Sequence, residues 1–103
     1  MIKDHQAIEA AFQDTREIFV AFGDHYRQEI ILLLGHNQRM TVKELAQQLQ
    51  LSRPATSHHI KILRQAGMLG MRKEGVRTYY YPTLREAFDK VKSLIAAADE
   101  IIE

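Results

Sequence analysis

Apolar positions in the first part of the chain fall at Ile8, Phe12, Phe19 and Phe22, with Thr15 filling the series, so spacings alternate between four and three. That period draws one stripe on a helix and predicts α-helix from Asp4 to Phe22. Gly23-Asp24 interrupts it, and Asp24 can cap a second helix. Tyr26, Ile30, Leu33 and Leu34 supply the face of that helix, about ten residues long, which Gly35-His36-Asn37 ends. Thr41-Val42-Lys43-Glu44 has the form of a capping box, in which hydroxyl and carboxylate satisfy amides left unpaired at a helix start. A third helix begins there with Val42, Leu45, Ala46 and Leu49 inward. Gln50-Leu51 leads directly to Ser52, another N-cap, with Pro54 in the first turn where it costs no hydrogen bond. A tight turn therefore joins the third helix to a fourth, running from Arg53 to about Ala66 and stopped by Gly67. On this fourth helix Thr56, Ile60 and Leu63 share one face, while Arg53, Ser57, His58 and Lys61 project together from the other.

Beyond Gly67 the pattern changes. Leu69 to Lys73 and Arg77 to Tyr81 read as strands joined by Glu74-Gly75-Val76, the second rich in Thr and Tyr. Pro82 ends this hairpin, and Thr83 to Glu86 repeats the capping-box form. Leu84, Phe88, Val91, Ile95, Ala98 and Ile102 then recur at four-three spacing along a final amphipathic helix. The order is α-α-α-α-β-β-α, mainly α with one small β-hairpin. Repeats, low-complexity stretches and linkers are not visible, and 103 residues at 46% hydrophobic content suit one modest core, so residues 1–103 are expected to form a single domain.

Net charge is only +1, but it is unevenly spread. Residues 52–83 carry Arg53, Lys61, Arg64, Arg72, Lys73 and Arg77 against Glu74 alone, whereas the stretches on either side are balanced or acidic. A concentrated basic patch is the electrostatic footprint expected for phosphate contact. The absence of cysteine excludes disulfides and zinc-thiolate chemistry and fits a reducing compartment. With no long apolar run behind the charged N-terminus or elsewhere, the expectation is a cytoplasmic protein without a membrane partner.

Two helices joined by a short turn, the second exposing small polar and basic residues, form the helix-turn-helix that lays its second helix in the DNA major groove. The basic hairpin after it makes it a winged helix-turn-helix. Arg53 can read guanine bidentately, Ser57 and His58 can reach base edges or phosphates, and Lys61 can neutralise a phosphate. Ser52, Pro54 and Thr56 complete the expected DNA-facing set on this helix, and Arg72, Lys73, Arg77 and Tyr79 that on the wing, with double-stranded DNA as partner. Two four-three seams in so small a chain offer more apolar stripe than one core absorbs. The terminal helices, about 4–22 and 84–102, are therefore expected to build a homodimer through Ile8, Phe12, Phe19, Leu84, Phe88, Val91, Ile95, Ala98 and Ile102. Its recognition helices would lie about 34 Å apart, matching a pseudo-palindromic site.

From about Phe19 to Pro82 the chain resembles the ArsR/SmtB-type winged-helix repressors. Phe22-Gly23-Asp24-His25-Tyr26-Arg27 resembles the family's F-x-D-x-T-R opening of the second helix, with Tyr26 in place of Thr. Leu51-Ser52-Arg53-Pro54-Ala55-Thr56-Ser57-His58-His59-Ile60-Lys61-Ile62-Leu63 is similar to the recognition helix often written LSQPAVSHHLKIL, with Arg53 for Gln and Thr56 for Val. Ala66-Gly67-Met68-Leu69 and Glu74-Gly75-Val76-Arg77-Thr78-Tyr79-Tyr80-Tyr81 resemble the AGLV and EGR-x-x-YY strands of the wing. The resemblance implies a homodimer built from the first and last helices that represses promoters until a signal releases it.

The family's usual sensing chemistry is missing from the sequence. One common metal site draws Asp and His from the last helix, yet residues 84–103 contain Glu86, Asp89, Asp99, Glu100 and Glu103 and no histidine. Of the five histidines, His58 and His59 belong to the fourth helix, while His5, His25 and His36 lack ligand spacing. No metal or cofactor is expected, and an effector, whether small molecule or protein, stays unidentified. His59 is expected to pack at the domain surface or bond to backbone, and the Tyr79-Tyr80-Tyr81 run to alternate in strand packing. Catalysis finds no nucleophile–base pair, phosphate loop or paired carboxylates. The alternative reading is a dimeric protein-interaction module on the same scaffold, against which the basic patch argues.

Overall fold

The computed structural model describes residues 5–102. Asp4, where the sequence pattern starts the first helix, and Glu103 lie outside the described residues. The elements come in the expected order: α1 (His5–Phe22), α2 (His25–Asn37), α3 (Val42–Leu49), α4 (Arg53–Gln65), β1 (Leu69–Glu74), β2 (Arg77–Pro82) and α5 (Leu84–Asp99). One cluster of buried side chains draws on every helix and on the start of β1, including Ile18, Ile30, Leu34, Leu45, Ile60, Leu63, Leu69 and Ala87.

In α1 the stripe read from the sequence is not the one that faces this core. Ala11, Thr15, Ile18 and Ala21 are buried, spaced by four, three and three and so also on one helical face. Two apolar stripes thus run side by side, and α1 turns its smaller residues toward the core, where α5 packs closely against it. Phe12 and Phe19 are left outside, 53% and 46% exposed. Thr15 is fully buried and donates its hydroxyl to the Ala11 carbonyl at 2.7 Å, so no polar group is stranded. In α5 the buried residues are Ala87 and Leu94, while Phe88 and Ile95 face out. This helix ends at Asp99, which leaves Ile102 beyond it rather than on its seam.

Local signals account for most boundaries. Asp24 caps α2 by accepting from the Arg27 amide at 3.1 Å. Gly35 does not end α2: it lies inside the helix with open space around its Cα, and the chain leaves only at Gln38, whose φ is 72°. The capping box on α3 is complete, Thr41 Oγ1 accepting from the Glu44 amide and Glu44 Oε1 from the Thr41 amide. Gly67, at φ 75°, takes the left-handed position that stops α4.

The hairpin is antiparallel, with Leu69 opposite Pro82 and Glu74 opposite Arg77. Its turn is therefore two residues, Gly75-Val76, rather than the three expected, and Gly75 supplies the positive φ. Pro82 sits inside the pairing as the last residue of β2. A bridge between Met40 and Tyr80 ties the α2–α3 loop to the sheet. The second capping box does not form. Thr83 has φ −132° and ψ 61°, makes no side-chain cap, and donates its hydroxyl to the Gly67 carbonyl at 3.0 Å. The stop of α4 and the start of α5 are stitched together instead.

Candidate nucleic-acid interface

The turn between α3 and α4 is closed by Gln50 in the left-handed region, with the Leu51 amide donating to the Ala46 carbonyl at 3.1 Å. Ser52 Oγ accepts from the Ala55 amide at 3.2 Å and Pro54 occupies the first turn of α4. With Thr56, Ile60 and Leu63 buried, helical geometry sends Arg53, Ser57, His58 and Lys61 outward, and all four are exposed, as are Ser52 and Pro54. Thr56 corrects the expected DNA-facing set. It is fully buried, and its hydroxyl donates to the Ser52 carbonyl at 2.8 Å, so its side chain fixes the first turn of α4 and meets no partner.

On the wing Arg72, Lys73 and Arg77 are exposed, whereas Tyr79 is half-buried. The Arg39 guanidinium lies over the Tyr79 ring, 4.1 Å from its centre, and also pairs with the Glu74 carboxylate. Arg72 Nε stands 3.9 Å from the same carboxylate. The single acidic group in the basic third of the chain is thus already neutralised from within the molecule. Arg77 is exposed, and the Tyr79 side chain beside it raises its pKa above the ordinary arginine value.

α3, the start of α4 and β2 enclose one groove, lined among others by Lys43, Gln47, Arg53, Arg77 and Thr78. A second groove lies between α4 and β2 and is lined by Ser57, Lys61, Arg64 and Tyr80. The two grooves meet at Tyr80, and their basic side chains, Lys43, Arg53 and Arg77 in the first and Lys61 and Arg64 in the second, outnumber the one carboxylate, Glu44. Sequence reasoning missed Lys43, Gln47 and Arg39, for which no local signal exists. It counted Arg64 in the basic patch but left it out of the DNA-facing set on α4, where four-three spacing from Ser57 and Lys61 could have placed it.

His59 sits on the opposite flank of α4, half-buried, with Nδ1 3.0 Å from Arg27 Nη1 and 3.7 Å from Asp24 Oδ2. Its hydrogen bond goes to the Arg27 side chain on α2 rather than to backbone, with the α2 cap Asp24 standing nearby. Burial is the main cause that holds its pKa below the usual histidine value; Asp24 works against that and Arg27 with it. Of the residues expected at a dimer interface, Phe12, Phe19, Phe88, Ile95 and Ile102 are exposed, while Ile8, Leu84, Val91 and Ala98 are half-buried. Phe88 stacks on Phe22 with ring centres 5.5 Å apart. Among the described residues, no three His, Asp or Glu groups gather as a metal site would need. No described helix is long and apolar enough to cross a membrane.

Comparison with known proteins gives this surface its context. Residues 24–69, covering α2 to the start of β1, match the profile of the bacterial regulatory protein, arsR family. An uncharacterized HTH-type transcriptional regulator of Methanocaldococcus jannaschii is 39% identical over 90 residues, spanning 87% of this chain and 97% of the relative. The transcriptional repressor SdpR of Bacillus subtilis is 35% identical over 63 residues, spanning 61% of this chain and 69% of its own length. Among solved structures, an ArsR-like transcriptional regulator from Rhodococcus sp. RHA1 superposes with a TM-score of 0.79 at 25% identity, covering 88% of this chain and 83% of that one. These relatives are regulators rather than enzymes, and the shared region contains the helix-turn-helix. The chain belongs to the ArsR family of bacterial regulatory proteins and is a DNA-binding transcriptional regulator.

Proposed function

We propose that the protein is a homodimeric repressor that sets two copies of α4 into successive major grooves of a pseudo-palindromic operator. The observation that carries this reading is the division of the surface. Arg53, Ser57, His58 and Lys61 line one side of α4 beside a basic wing, while the large apolar side chains of α1 and α5 stand exposed elsewhere. Arg53 reads a base, Ser57 and His58 reach base edges or phosphates, and Lys61, Arg72, Lys73 and Arg77 neutralise phosphates. Lys43 and Gln47, from the groove wall, add contacts to the same backbone. Phe12, Phe19, Phe88 and Ile95 form the centre of the two-fold contact, with Ile8, Leu84, Val91, Ala98 and Ile102 around them. The repressor sign follows the similarity to the transcriptional repressor SdpR.

Binding of a duplex selected by the protein from a random-sequence pool tests the assignment. Arg53→Ala costs about 1 to 3 kcal/mol and relaxes sequence preference, whereas Lys61→Ala weakens all duplexes alike and lowers the salt slope by about one. Wild-type affinity and salt slope in both variants would place the DNA contacts on another face.

A further inference from the structure

Arg27 stands where α1, α2 and α4 meet, and its side chain is committed to two of them. Nε donates to the Ala21 carbonyl at 3.0 Å and Nη2 to the Val20 carbonyl at 2.9 Å, both in the last turn of α1. Carbonyls at a helix C-terminus lack intrahelical partners and carry the negative end of the dipole, so a guanidinium is well placed there. The remaining arm, Nη1, lies 3.0 Å from His59 Nδ1 on α4. A guanidinium has only donors to offer. The facing His59 nitrogen is therefore an acceptor, and the ring is neutral with its proton on Nε2.

We propose that Arg27 is a positioning residue that, with neutral His59 as its acceptor, indexes the recognition helix to α1 and so makes DNA affinity depend on the protonation of His59. The proposal rests on the DNA-binding, dimeric reading above. α1 carries the apolar dimer face and α4 the reading face, so the angle between them sets where the two recognition helices of a dimer stand. His59 adjoins His58, with ring centres 6.1 Å apart, so movement at one is felt at the DNA-facing other.

The groups around His59 define what a proton does there. Asp24 faces it from the cap of α2, Arg27 and Tyr26 from α2 itself, and His58 from its own helix. A proton on Nδ1 points an N–H at the Arg27 cation and ends that bond. The acceptor left in reach is Asp24 Oδ2, 3.7 Å away and already taking the Arg27 amide. The charged ring thus exchanges Arg27 for Asp24, and α4 loses its tie to the end of α1. Burial and Arg27 hold the ring neutral against the pull of Asp24, so the exchange falls on the acid side of ordinary histidine titration.

The test compares wild type with His59→Asn, whose Oδ1 can accept from Arg27 and cannot be protonated, on the fluorescent duplex that wild type selects from a random pool at pH 7.5. At pH 7.5 the two bind alike. Between pH 7.5 and 5.5 wild type weakens by about fivefold or more relative to His59→Asn, the low end of coupling between linked sites. His58→Asn introduced into both proteins keeps the comparison free of a second titrating ring on the same helix. Arg27→Lys, which keeps the charge but not the three-way geometry, binds about fivefold or more weaker at pH 7.5 while remaining dimeric, and its pH curve loses the acid fall. Parallel curves for wild type and His59→Asn overturn the proposal, as does wild-type binding by Arg27→Lys. Thermal unfolding separates the two readings. Wild type loses melting temperature relative to His59→Asn from pH 7.5 to 5.5 if neutral His59 accepts from Arg27, whether or not a duplex is selected, whereas failure to select any duplex overturns the DNA-binding reading alone.

Discussion

The α1–α5 pair and the α3–α4–wing unit use the same helical spacing and expose opposite chemistry. α4 buries Thr56, Ile60 and Leu63 and turns Arg53, Ser57, His58 and Lys61 to solvent, as an amphipathic helix on a small domain does. α1 and α5 bury Ala11, Ala21 and Ala87 and leave Phe12, Phe19, Phe88 and Ile95 outside. Ile18 and Leu94 are buried beside those alanines, but the aromatic side chains stay outside, and a cluster of exposed large apolar groups is what an interaction surface presents. One region turns polar side chains to solvent, and the other, on the proposed dimeric reading, would be covered by a second copy.

The sharpest way to break that contrast is to charge the outer face. Phe12 and Ile95 are each more than half exposed, so Phe12→Asp with Ile95→Asp leaves the monomer fold intact by circular dichroism. Sedimentation then shows a monomer, and affinity for a two-half-site duplex falls by about 100-fold or more as the second contact stops being intramolecular. Single half-site binding stays as in wild type. A variant that still sediments as a dimer puts the interface elsewhere.

Much of the recognition unit was legible because its determinants are local. Ser52, Pro54 and the Thr41–Glu44 box lie within a turn of what they stabilise, so reading them needs no knowledge of the fold. The face of α1 was not legible from spacing, because Ala11-Thr15-Ile18-Ala21 and Ile8-Phe12-Thr15-Phe19 fit the same period and tertiary packing chose between them. The Arg27–His59 contact joins residues 32 apart, and Arg39 reaches both Glu74 and Tyr79 across the α2–α3 loop. No window of sequence contains either pair. Thr56 shows a smaller failure: helical geometry placed it on the buried face, and its position in a DNA-reading motif drew it outward.

A milder break concerns the cap of α3, at the edge of the DNA surface. Thr41→Ala removes an acceptor for the Glu44 amide and costs about 1 kcal/mol of stability in chemical denaturation. The Glu44 carboxylate is held below its ordinary pKa, first by the Thr41 amide and then by the Thr41 hydroxyl. A depressed carboxylate pKa contributes stability that is present above the unfolded value and lost as pH falls through the folded one. The gap between wild type and Thr41→Ala is therefore full at neutral pH and narrows below about pH 4.5. A gap that stays constant down to pH 3 would mean that the carboxylate takes no part.

Thr83 offers the smallest effect and a direct contrast, since Thr83 to Glu86 has the same S/T-x-x-E form. The box needs a cap residue with extended backbone angles, which Thr41 has at φ −83° and ψ 164°. Thr83, at φ −132° and ψ 61°, is held otherwise because its amide donates to the Met68 carbonyl and its hydroxyl to the Gly67 carbonyl. Both acceptors belong to the stop of α4, so the tertiary junction and the local cap compete for one residue and the junction wins. Thr83→Ala keeps the amide bond and loses one exposed hydroxyl contact, a cost of about 0.5 kcal/mol. Glu86 takes no part, so the cost is the same at pH 7 and pH 4. A Thr83→Ala penalty that shrinks in acid as the Thr41→Ala penalty does would show the second box forming in solution.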